Sequence, residues 1–451
     1  MKKDSEFSKK LLKVVLPQTL QYFVFSLVPV SDALMLVKLE QNAMSAVSLA
    51  TQITFVLSLF TYAATMGASM LVSQYWGIED KDSIEQVWGF SQMLLLPIGL
   101  LFFCLTYFIP EEIMTIYTSE PELINYGAQY LKIVSFSYLF ICVYQVTETI
   151  MKNTGLIKQA TFVSSMMVFM NIVLNAIFIY GLFGVTPMGV KGAALATTLT
   201  ALFNLLLSSF IHMKNRIVRF RVKYLFHIEK GLKDDFVHYS LPLLGNQITW
   251  GLGFTTLTII IGHLGEDAVA ANSIVSILKD LISCFCFALG AGATIIIGNE
   301  LGANRLDKAK EYGSRLCKLG IISGIISGLI IVLSIPVVLD FVNLTETASY
   351  YLKWMMVMCV YYMVGRTINT LLNGGIFIAG GDTKFSFIGD TITMWVFIIP
   401  AGALAAFVFK APVLVVFFIL NLDEIIKLPA EYIHYKKYKW LRNLTHIEEK
   451  A

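Results

Sequence analysis

Asp32 is the residue of this chain best placed to do chemistry. It lies in the apolar run QYFVFSLVPVSDALMLV, three residues after Pro29. A charge at the centre of a hydrocarbon layer costs about 2.5–3.5 kcal/mol on insertion scales, so such a residue needs a reason to be there. A proline inside a helix frees a carbonyl one turn earlier. A carboxylate beside such a break can bind Na⁺ or trade its charge for a proton. The plainer reading is a structural aspartate hydrogen-bonded to neighbouring helices. Asn171 and Asn175, in MNIVLNAIF, are four residues apart. They share one helical face and can present two amide oxygens inward, or simply bond one helix to the next. Thr197, in the small-residue run GAALATT, can add a hydroxyl.

A second group holds both signs of charge. Lys279 and Asp280 are neighbours in one apolar segment, and Arg366 lies in another. Adjacent positions on a helix do not face each other, so Lys279 and Asp280 cannot simply neutralise one another. One arrangement pairs Asp280 with Arg366 across the bundle and turns Lys279 toward a cavity, where it would favour zwitterionic or anionic cargo. The other is a structural ion-pair network tying two helices. Glu148 and Asp390, near span ends, read as snorkelling or helix-tying residues, and Asp423, Glu424 and Lys427 as a local ion-pair cluster. Tyr22, Tyr62, Phe254, Phe287, Tyr361 and Met363 can line an amphipathic cavity, although most aromatic residues here pack against lipid or other helices.

These residues must be positioned by membrane helices. The chain has 451 residues, 56% hydrophobic and 14% charged, against about 25% charged in a soluble domain; its mean hydropathy is +0.70. Apolar stretches fall at 12–37, 47–75, 87–109, 123–151, 158–182 and 187–212, then at 232–263, 267–299, 310–338, 347–378, 385–409 and 411–433. Each can cross a bilayer as a helix, and backbone groups in lipid must be satisfied within each segment or in a closed barrel. The expected fold is an all-α integral membrane protein of twelve transmembrane helices in two pseudo-symmetric six-helix lobes. The lobes span 1–212 and 232–438, with a basic linker at 213–231 and a tail at 439–451.

Lys and Arg crowd the loops of one side. Lys214, Arg216, Arg219, Arg221, Lys223, Lys230 and Lys233 mark the central connector, and Arg305, Lys308, Lys310, Arg315 and Lys318 a second. Segments 110–125 and 339–348 contain neither residue type. Both termini and the linker are therefore expected in the cytoplasm, in a plasma (inner) membrane. The linker reads as a topology determinant resting on lipid headgroups, not as a nucleic-acid patch. No cleavable signal peptide is expected. Cys104, Cys142, Cys284, Cys286, Cys317 and Cys359 all fall in or at the ends of apolar segments and read as reduced packing residues.

The chain is written twice. Pro17, Ala43, Ala46, Gly67, Gly77 and Pro187 recur 225 residues later as Pro242, Ala268, Ala271, Gly292, Gly302 and Pro412. Two same-direction copies point to a transporter with its substrate path between lobes. The segments PVSDALMLVKLEQNAMSAVSLA, GASMLVSQYWG with its repeat GATIIIGNELGA, NIVLNAIFIYGLFG followed by TPMGVKGAALAT, and IAGGDTK resemble the MATE (multidrug and toxic compound extrusion) family over residues 10–440. The resemblance implies a two-lobed exporter of mainly cationic, amphipathic organic compounds in exchange for Na⁺ or H⁺. It also implies that Asp32, Asn171, Asn175 and Thr197 converge in the first lobe as the coupling site. Some relatives carry Asp at position 175. The acids of the Na⁺-coupled NorM-type branch fall here on Trp250 and Thr367, which shifts coupling toward Asp32 and a DinF-like reading.

The expected function is a secondary antiporter working by alternating access, with Asp32 as coupling carboxylate and H⁺ or Na⁺ the only ion required. A flippase or exporter of a lipid-linked, anionic or zwitterionic metabolite is the alternative. No GxxxxGK[ST], HExxH or GxSxG motif occurs, and His212, His227, His238, His263, His434 and His446 sit at span ends or in loops, which argues against an ATPase or a membrane enzyme. The expected partners are small organic substrates and the bilayer, with the protein a monomer and no firm metal site beyond Na⁺ at Asp32.

Overall fold

The computed structural model describes residues 2–37, 41–342 and 344–445, without the side chains of 2–5, 29–34, 36, 37 and 41. Among the described residues the regular structure is helical throughout. In order, the helices are α1 (Lys2–Val37), α2 (Gln41–Gly77), α3 (Lys81–Phe108), the short α4 (Pro110–Tyr117), α5 (Pro121–Asn153), α6 (Ile157–Tyr180) and α7 (Val190–Asn215). The second series is α8 (Lys230–Gly262), α9 (Glu266–Gly302) and α10 (Leu306–Phe341), then α11 (Glu346–Ala379) and α12 (Thr383–Val408). It ends in α13 (Val413–Leu420), α14 (Asp423–Ile426) and α15 (Leu428–Lys436).

The repeat is visible in the register. Helices α2 and α9 are both 37 residues long, and their first residues are 225 positions apart, as are those of α3 and α10 and of α5 and α11. The turn after each of the first pair passes through a left-handed residue at the same relative place, Glu79 (φ 61°) and Asn304 (φ 55°). Among the described residues the expected spans are helical, and ten helices are long and apolar enough to cross a membrane by length and composition. The last span differs from the single helix expected over 411–433. It breaks at Asn421 and again at Lys427, where Pro429, lacking an N–H, opens α15.

The chain divides into two compact units, one holding the residues up to Thr19 together with His238 onward, the other Leu20–Val237. These bounds differ from those expected. The start of α1 packs with the second half of the chain: Phe7 meets Tyr312 at 5.0 Å between ring centroids, and Val15 fills the space beside Gly292. Lys10 reaches the fully buried Glu300 at 2.7 Å, which Arg305 also contacts. Residues 439–445 are likewise not a loose tail, since Trp440 is fully buried with its backbone against Gly380. The linker belongs to the Leu20–Val237 unit, where Val218 and Tyr224 are buried.

Inside the Leu20–Val237 unit α5 is the hub, packed against α2, α3 and α7. Lipid offers no hydrophobic drive between helices, so close packing and polar pairs must hold them. Asn153 donates to Ser69 (3.0 Å), Gln92 to the Val143 carbonyl (2.9 Å) and Thr198 to the Ile133 carbonyl (3.0 Å). The buried Glu148 accepts from Ser164 (2.9 Å) and Gln21 (3.3 Å), so it ties helices and does not snorkel. In the other unit α11 packs on α9 and α10. The small-residue stripe Gly320, Gly324 and Gly328 of α10 lets the backbones touch: a Cβ at Gly324 or Gly328 would lie 2.8–2.9 Å from the Cα of Val364 or Val360.

The carboxylate of Glu300 is what holds the chain start. Glu300→Gln removes the charge from Lys10, Arg305 and Lys308. The cations are partly exposed and regain water, so the expected cost is about 1–2 kcal/mol. It should appear as a lowered thermal unfolding midpoint of the detergent-purified protein, which Lys10→Met reproduces in part.

Candidate functional site

A cavity of about 490 Å³ opens inside the Leu20–Val237 unit, lined by residues of α1, α2, α5, α6 and α7. Asn171, Asn175 and Thr197 all line it, so the structure brings together the three first-half residues whose side chains it describes. Asn171 and Asn175 are buried, and Asn175 donates from Nδ2 to the Asn171 Oδ1 (3.1 Å). That bond fixes the orientation of both amides. Thr197 donates to the Ala193 carbonyl one turn back (3.0 Å), leaving its oxygen as an acceptor. Ser48, Thr51, Thr54, Ser58, Ser137 and Thr200 add hydroxyls and Tyr130 and Tyr144 phenol edges to a lining whose exposed area is mostly apolar. Tyr130 and Tyr144 thus take the aromatic role that the sequence suggested for Tyr22 and Tyr62.

The Asp32 side chain lies outside the described residues. Its neighbours on α1 are informative nonetheless. Val28, one turn earlier, lines the cavity. Tyr180, at the end of α6, donates to the Met35 carbonyl (2.8 Å), anchoring α1 to the helix that carries both asparagines. The backbone of α1 is helical from Lys2 to Val37, so no unwound stretch follows Pro29 in this structure.

The second unit holds the charges. Arg366 does not pair with Asp280. Its guanidinium meets Glu424 at 3.0 Å, with Phe287 beneath it at 5.3 Å. The reason is the break in the last span, which turns Glu424 inward, and the close approach of α11: a Cβ at Gly365 would lie 2.5 Å from the Glu424 carbonyl oxygen. Glu424 also accepts from Asn369 (2.6 Å) and lies 3.6 Å from Lys427, which reaches Asp390 at 2.7 Å. Asp390 in turn accepts from Asn246 on α8 (2.8 Å). This chain of alternating charges links α8, α11, α12 and α14, the helix-tying role expected for Asp390.

Lys279 donates to Asn421 Oδ1 (2.9 Å) and sits 4.0 Å over the Tyr362 ring. Asp280 is exposed and makes no ion pair among the described residues. Met363 is fully buried in the hydrophobic core. Thr367 donates to the Met363 carbonyl and contacts Cys286, and Trp250 stacks on Phe254; neither carries charge. The sequence reading missed Glu431, buried and accepting from Asn373 (2.6 Å) in the π-helical turn Leu372–Ile376. Its only signal was an acid embedded in an apolar stretch.

Two helical repeats with apolar, membrane-length helices, one of them holding a cavity with polar groups in its wall, fit a polytopic membrane transporter. The MatE family model matches residues 17–177 and 242–404, and the chain belongs to that family of transporters. It is not an enzyme. It is 24% identical over 401 residues to "Uncharacterized transporter YisQ" of Bacillus subtilis, covering 88% of this chain and 87% of the relative. To "Probable multidrug resistance protein NorM" of Thermotoga maritima it is 21% identical, covering 99% and 96%. Among solved structures, the outward-facing conformation of a multidrug resistance MATE family transporter of the MOP superfamily aligns with TM-score 0.85 at 18% identity, over 96% of each chain. A MOP superfamily transporter from Pyrococcus furiosus, whose reversed pocket polarity was taken to suggest a different function, aligns with TM-score 0.86 at 17% identity, also over 96% of each.

Removing one member of the Arg366 pair strands a buried charge. Arg366→Met is expected to cost about 2–3 kcal/mol, less than the full penalty of an orphaned ion because Lys427 and Asn369 still serve Glu424. Arg366→Met with Glu424→Met should recover part of that loss. Thermal unfolding of both single variants and the double variant measures the coupling, and additive losses would contradict the pairing.

Proposed function

We propose that the chain is a secondary antiporter that exports amphipathic organic compounds in exchange for H⁺ or Na⁺. The observation that carries this reading is the cavity of the Leu20–Val237 unit. It gathers Asn171, Asn175 and Thr197 beside the turn of α1 that leads to Asp32. The lining suits such cargo: mostly apolar walls, two tyrosines for stacking, and a few fixed polar groups for orientation. The relatives named as multidrug resistance proteins support the cargo class.

In this mechanism Asp32 is the switch. An ionised Asp32 offers one negative charge to a cationic compound entering from the cytoplasm. Uptake of a proton or Na⁺ from outside cancels that charge and releases the compound outward. Only a ligand with different affinities for two states shifts their balance, and a single carboxylate that gains or loses its charge meets that condition. Asn171 and Asn175 provide amide oxygens to a bound Na⁺; for a proton they provide hydrogen-bond partners to the neutral acid. The protein sits in the plasma membrane as a monomer with both termini in the cytoplasm, the side marked by the basic linker. The anion-exporting alternative has less support, because the Arg366 charge is balanced by Glu424.

Dye efflux from proteoliposomes under an imposed Na⁺ or pH gradient tests this reading. Efflux should follow one of the two gradients and disappear in Asp32→Asn. Wild-type efflux by that variant would remove Asp32 from the mechanism. Asn175→Ala should reduce gradient-driven efflux about tenfold, corresponding to one lost charge-assisted hydrogen bond, with the unfolding midpoint nearly unchanged.

A further inference from the structure

A second cavity, of about 830 Å³, lies at the other end of the Leu20–Val237 unit, roofed by the basic linker. Its walls come from the start of α3, the later turns of α5 and the end of α7. Three side chains in its lining are buried, with exposures of 4% or less: Trp88, Gln92 and His212. Each has one polar atom with no hydrogen-bond partner among the described residues, namely Trp88 Nε1, Gln92 Oε1 and His212 Nδ1. Native interiors seldom leave three such atoms together unless a ligand or water completes them.

The chemistry of these atoms is specific. The indole N–H can only donate, and the Gln92 oxygen can only accept. His212 Nε2 lies 2.7 Å from the Val218 carbonyl, which can only accept, so Nε2 carries the proton and Nδ1 of the neutral ring is an acceptor. The site therefore offers one donor and two acceptors. At the rim stand Arg216 and Arg219, both exposed and lining the same cavity. Neither makes an ion pair among the described residues. Arg221 is already used, at 2.6 Å from Glu85, while the Arg219 backbone N–H donates to the same carboxylate (2.8 Å) and holds the linker over the cavity. The remaining lining is apolar and aromatic, including Leu96, Met213, Phe220 and Leu225.

We propose that this cavity binds an amphipathic anion. Its negative head, bearing hydroxyl groups, is held by Arg216, Arg219 and Trp88, its hydroxyls donate to Gln92 and His212, and its hydrocarbon lies along Leu96, Met213 and Phe220. A glycerol-phosphate headgroup with an acyl chain has this pattern. Two guanidiniums supply the forked donors that phosphate oxygens prefer. The site is separate from the cavity of Asn171, Asn175 and Thr197, and its occupant bridges the linker to α3 and α7, so it would act on the protein as a regulator and not as cargo.

The test is photolabelling of the reconstituted protein with a phosphatidylglycerol that carries a diazirine in its acyl chain, followed by peptide mapping. Label is expected on segments 88–96 and 209–225, and about tenfold less when the same diazirine is carried by phosphatidylcholine. The Arg216→Gln, Arg219→Gln double variant should lose that preference while keeping its unfolding midpoint, since both side chains are exposed. Ser209→Trp, which fills the cavity while both arginines are retained, should lose the label altogether. Displacement by unlabelled phosphatidylglycerol supports the proposal, and displacement by oleate alone, which has no hydroxyl to donate to Gln92 and His212, counts against the hydroxyl-bearing head. Equal labelling by the phosphatidylcholine probe, no effect of the double variant, or displacement by inorganic phosphate alone would each overturn the proposal.

Discussion

Hydrocarbon cannot hydrogen-bond, and the rest of this structure depends on that constraint. Every backbone N–H and C=O that crosses the layer must find its partner within its own helix, and every charge must find an opposite charge or a polar group. The first demand makes long helices such as α2 and α9 the only open architecture. The second sorts the polar residues. Buried carboxylates are matched locally: Glu300 by Lys10 and Arg305, Glu148 by Ser164 and Gln21, Glu424 by Arg366 and Asn369. These matches also fix which helices touch.

The two repeats share register but not electrostatics. In the Leu20–Val237 unit the polar groups that line the cavity with described side chains are neutral amides and hydroxyls. In the other unit the corresponding bundle is crossed by the alternating charges of Arg366, Glu424, Lys427 and Asp390. A chain of paired charges resists rearrangement, because separating any pair leaves an uncompensated ion in a low-dielectric interior. A cavity lined by amides tolerates the arrival and departure of a charge far better. The two units therefore differ in kind: one keeps neutral polar groups around a cavity, the other is tied by its own paired charges.

Much of the candidate site was legible because spacing carries it. Asn171 and Asn175, four residues apart, had to share a face, and Thr197 in a small-residue run had to lie at a close helix contact. The pairing of Lys279, Asp280 and Arg366 was not legible. Which acid meets Arg366 depends on where the last span breaks, and that break turns Glu424 inward while Asp280 stays exposed. The cavity under the linker was invisible for a related reason. A run of arginines reads as a topology signal whatever the fold does, and only folding shows that Arg221 is consumed by Glu85 while Arg216 and Arg219 are left over.

The sequence alone determined the class of architecture: membrane helices, two copies at an offset of 225 residues, and the end of the bundle where positive charge collects. These follow from hydropathy, periodicity and composition, which are properties of short segments. The tertiary structure decided which unit the chain start joins, which carboxylate neutralises which cation, and which polar atoms are left without partners. Those outcomes depend on contacts between residues far apart in the chain. Lys10 meets Glu300 across 290 positions, and no local pattern encodes a distance of that kind.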